Sequence, residues 1–224
     1  NHTIVSMAGR RNPYKNSERQ VWFKSNKANG YAFLSNFWPF VSDAALRGAG
    51  EIKNERGTFT LHGKEWKSVE HYFQAAKYLG TIEKAAREIC DAEDALGALR
   101  ANRNWRHSHP IDMEEWHGRR DAVMEEALRA KFGQNPRLAQ ALVSTHGKRL
   151  SEVPGRSAGY WDFKGEDALG KLIMRVRDDL VASGEFEVPV VVSREERERE
   201  RKENAARIRA GRAAKRQRAA AAEF

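Results

Sequence analysis

The stretch from residue 68 to residue 78, SVEHYFQAAKY, has the pattern of a short amphipathic helix. Ser68 is of a type that caps helix N-termini, because its hydroxyl accepts a hydrogen bond from a free backbone N–H. At about 100° per residue, Val69, Phe73 and Ala76 fall on one apolar stripe. The sequence therefore predicts a helix that packs this stripe against a core.

Three polar residues follow one edge of that stripe. Glu70, Gln74 and Lys77 stand at positions i, i+4 and i+7, so they form a narrow line along the helix. Because each residue rises about 1.5 Å, the acid and the amine lie about 10 Å apart and cannot pair directly. Two interpretations are open: a solvated flank of the helix, or an acid, an amide and an amine arranged beside a binding site.

Short segments on both sides of this helix have strand patterns. Residues 20–40 contain apolar pieces typical of strands, whereas residues 41–57 are polar and glycine-rich, like a loop. The alternation in TFTLHGKEW, residues 58–66, predicts a hairpin that turns at His62-Gly63. VPVVV at 188–192 is interpreted as an edge strand or as an apolar strap on the domain.

Periodic segments dominate the rest of the chain. Helices are predicted at residues 68–79, 83–99, 113–132, 136–144 and 165–183. We therefore expect a helix-rich α+β single domain with a small β component over residues 20–192. Charged basic extensions are expected on both sides, a flexible one at 1–19 and a C-terminal tail at 193–224.

The positive charge of the chain is concentrated in these extensions. Of the net charge of +9, residues 193–224 carry +5 and residues 1–19 carry +3, which leaves about +1 for the domain. Basic ends bind polyanions through counterion release but do not read sequence. They are interpreted either as solvated tails or as nucleic-acid-binding arms. The stretch RIRAGRAAKRQR at 207–218 is also a candidate nuclear-import signal.

Composition argues against several classes of protein. No apolar run approaches the roughly 20 residues that cross a bilayer, and the first residues lack the apolar core of a signal peptide. Cys90 is the only cysteine, so no intrachain disulfide can form and a reducing compartment, cytoplasmic or nuclear, is expected. His107, His109 and His117 do not complete a zinc spacing with it. We expect no membrane association, metal ion or cofactor, and we favour a monomer.

Five segments, in order over residues 20–182, resemble the NADAR family. They are FLSNFWPF (33–40), WKSVEHYFQAAK (66–77), EEWHGRRDAVMEEALRAKFGQNPRLAQAL (114–142), the spaced Thr145, Leu150 and Glu152, and GEDALGKLIMRVR (165–177). Each segment alone is a weak signal. Their order and spacing together identify the domain as similar to this family.

The resemblance implies the fold of that family and an N-glycosidase activity. Described activities cleave ribosylaminopyrimidine phosphates of the riboflavin pathway, or remove ADP-ribose from the exocyclic amine of guanine. Both substrates carry a ribose whose anomeric carbon bears an exocyclic nitrogen near phosphate. Because this chain has basic ends, we expect ADP-ribosylated guanine in nucleic acid as its substrate. The riboflavin-type substrate and a non-catalytic ADP-ribose-binding module are the alternatives.

The resemblance also implies catalytic groups. Glu70 matches a family glutamate and is expected to stabilise positive charge on the sugar or to remove a proton. Lys77 matches the family's helix lysine, and Lys24 lies just ahead of the SNF segment. Either lysine is a candidate for a Schiff base with the anomeric carbon, provided that burial lowers its pKa. The alternative role for either lysine is to bind a phosphate oxygen of the substrate.

Residues of the same motifs are expected to bind the substrate. They are Ser35, Asn36, Phe37, His71, Tyr72, Gln74, Trp116, Arg120, Trp161 and Asp167. An ordinary turn at Ser35 and Asn36 is the alternative interpretation of that pair. For Trp116 the alternatives are stacking on a base or ribose and a place in the core.

The stretch SAGYWDFKGEDALG at 157–170 departs from the family pattern. The position of the family's aspartate is occupied by Ala158 or Gly159, while Asp162 follows the tryptophan in place of a glycine. Asp167 stands where the family has asparagine. Asp162 is expected to supply the displaced catalytic carboxylate. Without it, catalysis would depend on the helix glutamate alone.

Overall fold

The computed structural model describes residues 14–155, 159–189, 198–199 and 201–209. Contacts within the chain divide it into two units, Asn1–Val188 and Pro189–Phe224. In the second unit, residues 201–209 form a helix with exposed side chains. Among the described residues, no helix is both long and apolar enough to cross a bilayer.

The first unit is built mainly from helices. Its described strands are β1 (Gln20–Phe23), β2 (Phe59–Leu61), β3 (Lys64–Trp66) and β4 (Arg149–Glu152). Its helices are α1 (Asp43–Gly48), α2 (Val69–Ala75), α3 (Glu83–Asp91), α4 (Ala95–Ser108), α5 (Met113–Gly133), α6 (Pro136–Val143) and α7 (Ala168–Ser183). Short 3-10 turns lie at Ala32–Leu34 and Gly50–Asn54. The predicted helix-rich α+β class is confirmed.

The strands form two separate two-stranded sheets. β2 and β3 pair antiparallel, as the hairpin prediction required. His62 and Gly63 join them with φ angles of 51° and 71°, the left-handed conformation that suits a tight two-residue hairpin turn. β1 and β4 pair in parallel, with Phe23 opposite Glu152. This second pairing joins the two ends of the domain sequence and was not predicted.

Helix α2 lies at the centre of the unit and packs against β3, α3, α4 and α5. The Ser68 hydroxyl accepts a hydrogen bond from His71 N at 3.4 Å, so the predicted N-cap is confirmed. Every residue of α2 is buried, including Glu70, which is 4% exposed, and Gln74, which is 5% exposed. The interpretation of the polar line as a solvated flank is therefore wrong for Glu70 and Gln74, whereas Lys77 is partly exposed.

Several predicted boundaries differ from the structure. The single helix predicted at 83–99 is two helices, because Asp94 accepts a hydrogen bond from Gly97 N at 2.5 Å and begins α4 anew. The loop predicted at 41–57 contains α1, which begins where the Ser42 hydroxyl accepts a hydrogen bond from Ala45 N. Local capping by Asp and Ser explains both differences, since each side chain starts a helix that apolar periodicity does not show.

Other differences are shortened elements. Helix α2 ends at Ala75 instead of residue 79, and α7 begins at Ala168 instead of residue 165. In residues 20–40 only β1 is a strand. Of the segment 188–192, the first two residues have no regular secondary structure and the other three lie outside the described residues.

Helix α7 packs very closely on β4. A Cβ atom on Gly170 would lie 2.2 Å from the carbonyl oxygen of Leu150, which is closer than any side chain allows. The first turn of α7 and strand β4 therefore share one narrow contact. This contact brings the segment that precedes α7 beside the carboxyl ends of β1 and β4.

Candidate active site

Glu70 is held by Asn36 through both backbone and side chain. The backbone N–H of Glu70 donates to the carbonyl oxygen of Asn36 at 3.0 Å, and Asn36 Nδ2 donates to Glu70 Oε2. The first bond satisfies one of the free N–H groups in the first turn of α2. The second orients the carboxylate. The SNF segment and the helix glutamate are therefore in direct contact.

Gln74 connects Glu70 to Lys77. Its Nε2 donates to Glu70 Oε1 at 2.7 Å, and its Oε1 accepts from Lys77 Nζ. The four side chains thus form a continuous hydrogen-bonded row from Asn36 to Lys77. The helical spacing of the sequence predicted the order of this row, and the amide fills the gap that separates the acid from the amine.

Burial changes the acidity of both ends of the row. Burial raises the pKa of Glu70 above its usual 4.5, although Gln74, Lys77 and Asn36 oppose the rise. Burial likewise lowers the pKa of Lys77 to about 8, against the opposing effect of the Glu70 carboxylate. At neutral pH a measurable fraction of the Lys77 amine is therefore neutral, the form that attacks a carbon atom.

Aromatic rings surround the amine of Lys77. Its Nζ lies 5.2 Å from the ring centre of Trp116 and 5.4 Å from that of Phe73. The Phe73 ring also contacts Trp161, with centroids 5.4 Å apart. Trp116 is only 5% exposed, so it has the predicted place in the core and also borders the row. Its stacking on a base or ribose stays a prediction. Lys77 and Trp116 also line a cavity of about 240 Å³.

Glu152 is a candidate residue that the sequence interpretation did not assign to the site. It lies at the end of β4, and burial raises its pKa to about 7. Lys24 opposes this rise in pKa, while the carboxylates of Asp162, Glu70 and Asp167 add to it. The spaced Thr145-Leu150-Glu152 pattern, used only for the family resemblance, is the signal in the sequence that could have identified this residue.

Parallel pairing of β1 and β4 explains why Glu152 and Lys24 meet. Lys24 directly follows β1, whose last residue stands opposite Glu152. The Lys24 Nζ donates to the carbonyl oxygen of Pro154 at 3.2 Å. The predicted residues Lys24, Glu70, Asp162 and Asp167 thus share one electrostatic environment with Glu152.

Both oxygens of Asp162 are bound within its own loop. They accept hydrogen bonds from Gly159 N at 3.1 Å and Lys164 N at 3.0 Å, and the residue is 8% exposed. These contacts favour a role in shaping the loop over the predicted catalytic role. Ala158, the other position considered for the family's acid, lies outside the described residues.

Asp167 stands at the start of α7 with a φ of 53°, a conformation that asparagine and aspartate adopt more readily than other side chains. Its Oδ2 accepts from Ser151 Oγ at 2.8 Å and from an Arg149 guanidinium nitrogen at 2.9 Å. Its Oδ1 is buried and has no hydrogen-bond partner among the described residues. Asp167, which stands where the family has asparagine, therefore fits the backbone conformation at the start of α7. Its buried Oδ1 is free to accept a hydrogen bond from a bound substrate.

Two predicted binding residues of α2 face away from Glu70. His71 is fully buried; its Nδ1 lies 2.7 Å from Ser68 Oγ and its Nε2 lies 3.2 Å from Ala92 O. The Tyr72 hydroxyl donates to Glu126 and lines a different cavity of about 620 Å³. These contacts support packing of α2 and do not support the predicted substrate contacts, because each side chain points about 100° or more from the polar row.

The remaining predicted residues contact other parts of the unit. The Ser35 hydroxyl is buried and accepts from Phe37 N at 3.2 Å, as in an ordinary turn, while the Phe37 side chain is partly exposed. The Arg120 guanidinium lies 3.4 Å from the ring centre of Tyr160. That ring in turn packs edge-on against Trp161, 5.0 Å away. Arg120 therefore reaches the loop that carries Trp161.

In the described part of the chain, no three metal-binding side chains form a group that could hold a metal ion.

Comparison with known protein families shows to which family the chain is related. Residues 22–181 match the NADAR domain. The chain belongs to the NADAR family. The match includes the end of β1, the polar row, β4 and most of α7, so the resemblance predicted from the five motifs is confirmed.

Relatives and a solved structure agree with this assignment. N-glycosidase YbiA of Shigella boydii serotype 4 is 38% identical over 124 residues, covering 54% of this chain and 74% of that protein. The riboflavin biosynthesis protein VVA0006 of Vibrio vulnificus is 30% identical over 167 residues, covering 73% of this chain and 39% of that protein. The NMR structure of Escherichia coli YbiA has a TM-score of 0.58 at 28% identity and covers 81% of this chain and 96% of that chain. The relatives' names support an N-glycosidase activity within the family.

Proposed function

We propose that this NADAR protein is an N-glycoside hydrolase that removes ADP-ribose from the exocyclic amine of guanine in nucleic acid. The observation that carries the proposal is the hydrogen-bonded row from Asn36 through Glu70 and Gln74 to Lys77, whose two central residues are buried. Buried, oriented acids and amines with shifted pKa values are typical of catalytic sites. The name N-glycosidase YbiA of a relative supports the bond type.

Cleavage of such a bond makes positive charge on the sugar. The electrons of the C1–N bond move to the exocyclic nitrogen, which takes up a proton. The neutral Lys77 amine bonds to C1, and its proton passes to the ring oxygen as the C1–O bond opens to give an imine. Water then adds to C1, the amine leaves, and the free sugar is released. The ionised carboxylate of Glu70 stabilises the sugar cation or accepts the proton of the water. Asn36 and Gln74 hold this carboxylate in place, so little reorganisation is needed during the reaction.

A second carboxyl group suits the proton donor. Glu152 has a pKa raised to about 7 by burial, so near neutral pH it exists in both protonation states. A general acid works best when its pKa lies near the working pH. Under this proposal Glu152 protonates the leaving amine while Glu70 faces the sugar.

The proposed nucleic-acid substrate draws support from the basic end of the chain. Residues 201–209 are helical and exposed, and they include Arg201, Lys202, Arg207 and Arg209. Such a segment attracts the phosphate backbone without reading bases, which raises the rate of encounter. The predicted cytoplasmic or nuclear location and the monomeric state stay predictions.

The proposal is tested with an oligonucleotide that carries ADP-ribosylated guanine. Release of free ADP-ribose is followed by mass spectrometry for the wild type, for Glu70→Gln and for Glu166→Gln. We expect turnover by the wild type and by the exposed control Glu166→Gln, and a loss of about a hundredfold or more in Glu70→Gln. Binding of ADP-ribose by a folded wild type without any release would refute the proposal and favour a binding module.

A ribosylaminopyrimidine phosphate is the second candidate substrate. The name of the Vibrio vulnificus relative, a riboflavin biosynthesis protein, favours it. The same row would act on its C1–N bond, because the reacting atoms are of the same kind. Comparison of kcat/KM on both substrates ranks them, and a higher value on the pyrimidine would replace the guanine substrate in our proposal.

A further inference from the structure

Lys131 is a fully buried lysine in the last turns of α5. Its side chain is 0% exposed, and in the described part of the chain no carboxylate lies within ion-pairing distance of its amine. Burial lowers its pKa to about 7. A buried cation without an acidic partner is costly compared with a methionine or leucine of similar volume. Such a residue calls for an explanation beyond filling the core.

The two hydrogen bonds of the amine give that explanation. Lys131 Nζ donates to the carbonyl oxygen of Phe33 at 2.6 Å and to that of Ser35 at 3.1 Å. Both carbonyls belong to the end of the 3-10 turn Ala32–Leu34 and the residue after it. The amine therefore clamps two nearby peptide groups of one short turn.

The next residue after this clamp is Asn36. Fixing the Ser35 carbonyl fixes the peptide plane between Ser35 and Asn36, because the peptide group is rigid. Asn36 then meets α2 with its carbonyl oxygen, 3.0 Å from Glu70 N, and with its side chain on Glu70 Oε2. Lys131 is thus one bonded step from the residue that orients the carboxylate.

We propose that Lys131 is a positioning residue which acts through Asn36 to aim the Glu70 carboxylate at the substrate. This inference rests on the proposed glycosidase function. Lys131 does not touch the substrate, and its effect passes along the chain from the Ser35 carbonyl to the Asn36 side chain. A displacement of the carboxylate by about 1 Å is enough to lower turnover about a hundredfold.

A double-mutant cycle separates this role from a general loss of stability. The kcat and KM of Lys131→Met are measured alone and in the Asn36→Ala background. The assay temperature lies below the thermal unfolding midpoint of every variant. Lys67→Met is the matched control, because the Lys67 amine also bridges two backbone carbonyls, those of Asp91 and Ala92. We expect Lys131→Met to lower kcat about tenfold or more with little change in KM, and Lys67→Met to leave both near the wild-type values.

In the Asn36→Ala background the effect of Lys131→Met should fall below about threefold, because residues that act as one unit are not additive. An equal loss in both backgrounds would overturn the proposal, and so would an unchanged kcat in Lys131→Met alone.

A measurement without turnover keeps the inference testable by itself. The side-chain amide signals of Asn36 are followed by nitrogen-15 NMR in the wild type, in Lys131→Met and in Lys67→Met. Lys131→Met should shift or broaden them, while Lys67→Met should leave them in place. If the wild type cleaves no substrate, the proposed function fails and the NMR result still decides the clamp. Unmoved Asn36 signals in Lys131→Met would overturn the positioning role.

Discussion

Replacement of Glu152 by glutamine should make the protein more stable at alkaline pH. Burial raises the pKa of Glu152 from 4.5 to about 7, so between these pH values the folded state binds more protons than the unfolded state. Stability therefore falls as pH rises through this window. Glutamine has a similar shape and no charge, so it does not lose stability in this way.

The shift sets the size of the effect. One pKa unit corresponds to about 1.4 kcal/mol, so a rise from 4.5 to about 7 corresponds to an upper bound of about 3 kcal/mol. Glu152 is partly exposed, and solvent reduces this to about 1–2 kcal/mol. The gain of Glu152→Gln over the wild type should be fully present above about pH 7 and should vanish below about pH 4.5.

The assay is urea unfolding followed by tryptophan fluorescence at a series of pH values from about 5 to about 8. Glu166→Gln is the control, because Glu166 is exposed and only a few residues from Asp162. Its stability should follow that of the wild type across the series. A wild type and a Glu152→Gln variant whose free energies of unfolding change in parallel with pH would refute the reasoning.

Three further predictions concern the amine, the helix contact and the cap. Borohydride reduction during turnover should trap ADP-ribose on Lys77, because burial lowers its pKa to about 8; mass spectrometry that finds the label on Lys24 instead would contradict this. Gly170→Ala should cost about 3 kcal/mol or more, since its Cβ would lie 2.2 Å from Leu150 O. Gly118→Ala in α5, with nothing within 4 Å, should gain up to about 1 kcal/mol; equal unfolding midpoints for the two would refute the contact. Ser68→Ala should cost about 1 kcal/mol in urea unfolding through loss of the cap, and an unchanged midpoint would speak against that cap.

Local patterns in the sequence predicted several features correctly. The cap at Ser68, the hairpin turn at His62-Gly63 and the helices α5 and α6 all depend on residues a few positions apart. The row of Glu70, Gln74 and Lys77 is of the same kind, because helical geometry alone orders it. The family motifs added Asn36, whose contact with the helix spans many residues of chain.

Features set by distant contacts were missed, and the structure also adds local contacts that the motifs did not indicate. Glu152 and Lys131 received no role, although each lay within a segment used for the family resemblance. His71 and Tyr72 were predicted to bind the substrate as residues of the family motif, but helix geometry turns them to other neighbours. Asp162 was expected to supply the displaced catalytic carboxylate, which stays a prediction; its oxygens accept hydrogen bonds from backbone N–H groups of its own loop.

The sequence by itself determined the family, the helix-rich class and the order of the polar row, because periodicity, capping and motif order are written in neighbouring residues. Only the tertiary structure decided that Glu70 and Gln74 of this row are buried, that Glu152 lies near Lys24, and that Lys131 clamps the turn before Asn36. Burial and strand pairing bring together residues that are far apart in the chain. The pKa values and orientations of the site depend on those contacts, so the sequence pattern alone does not contain them.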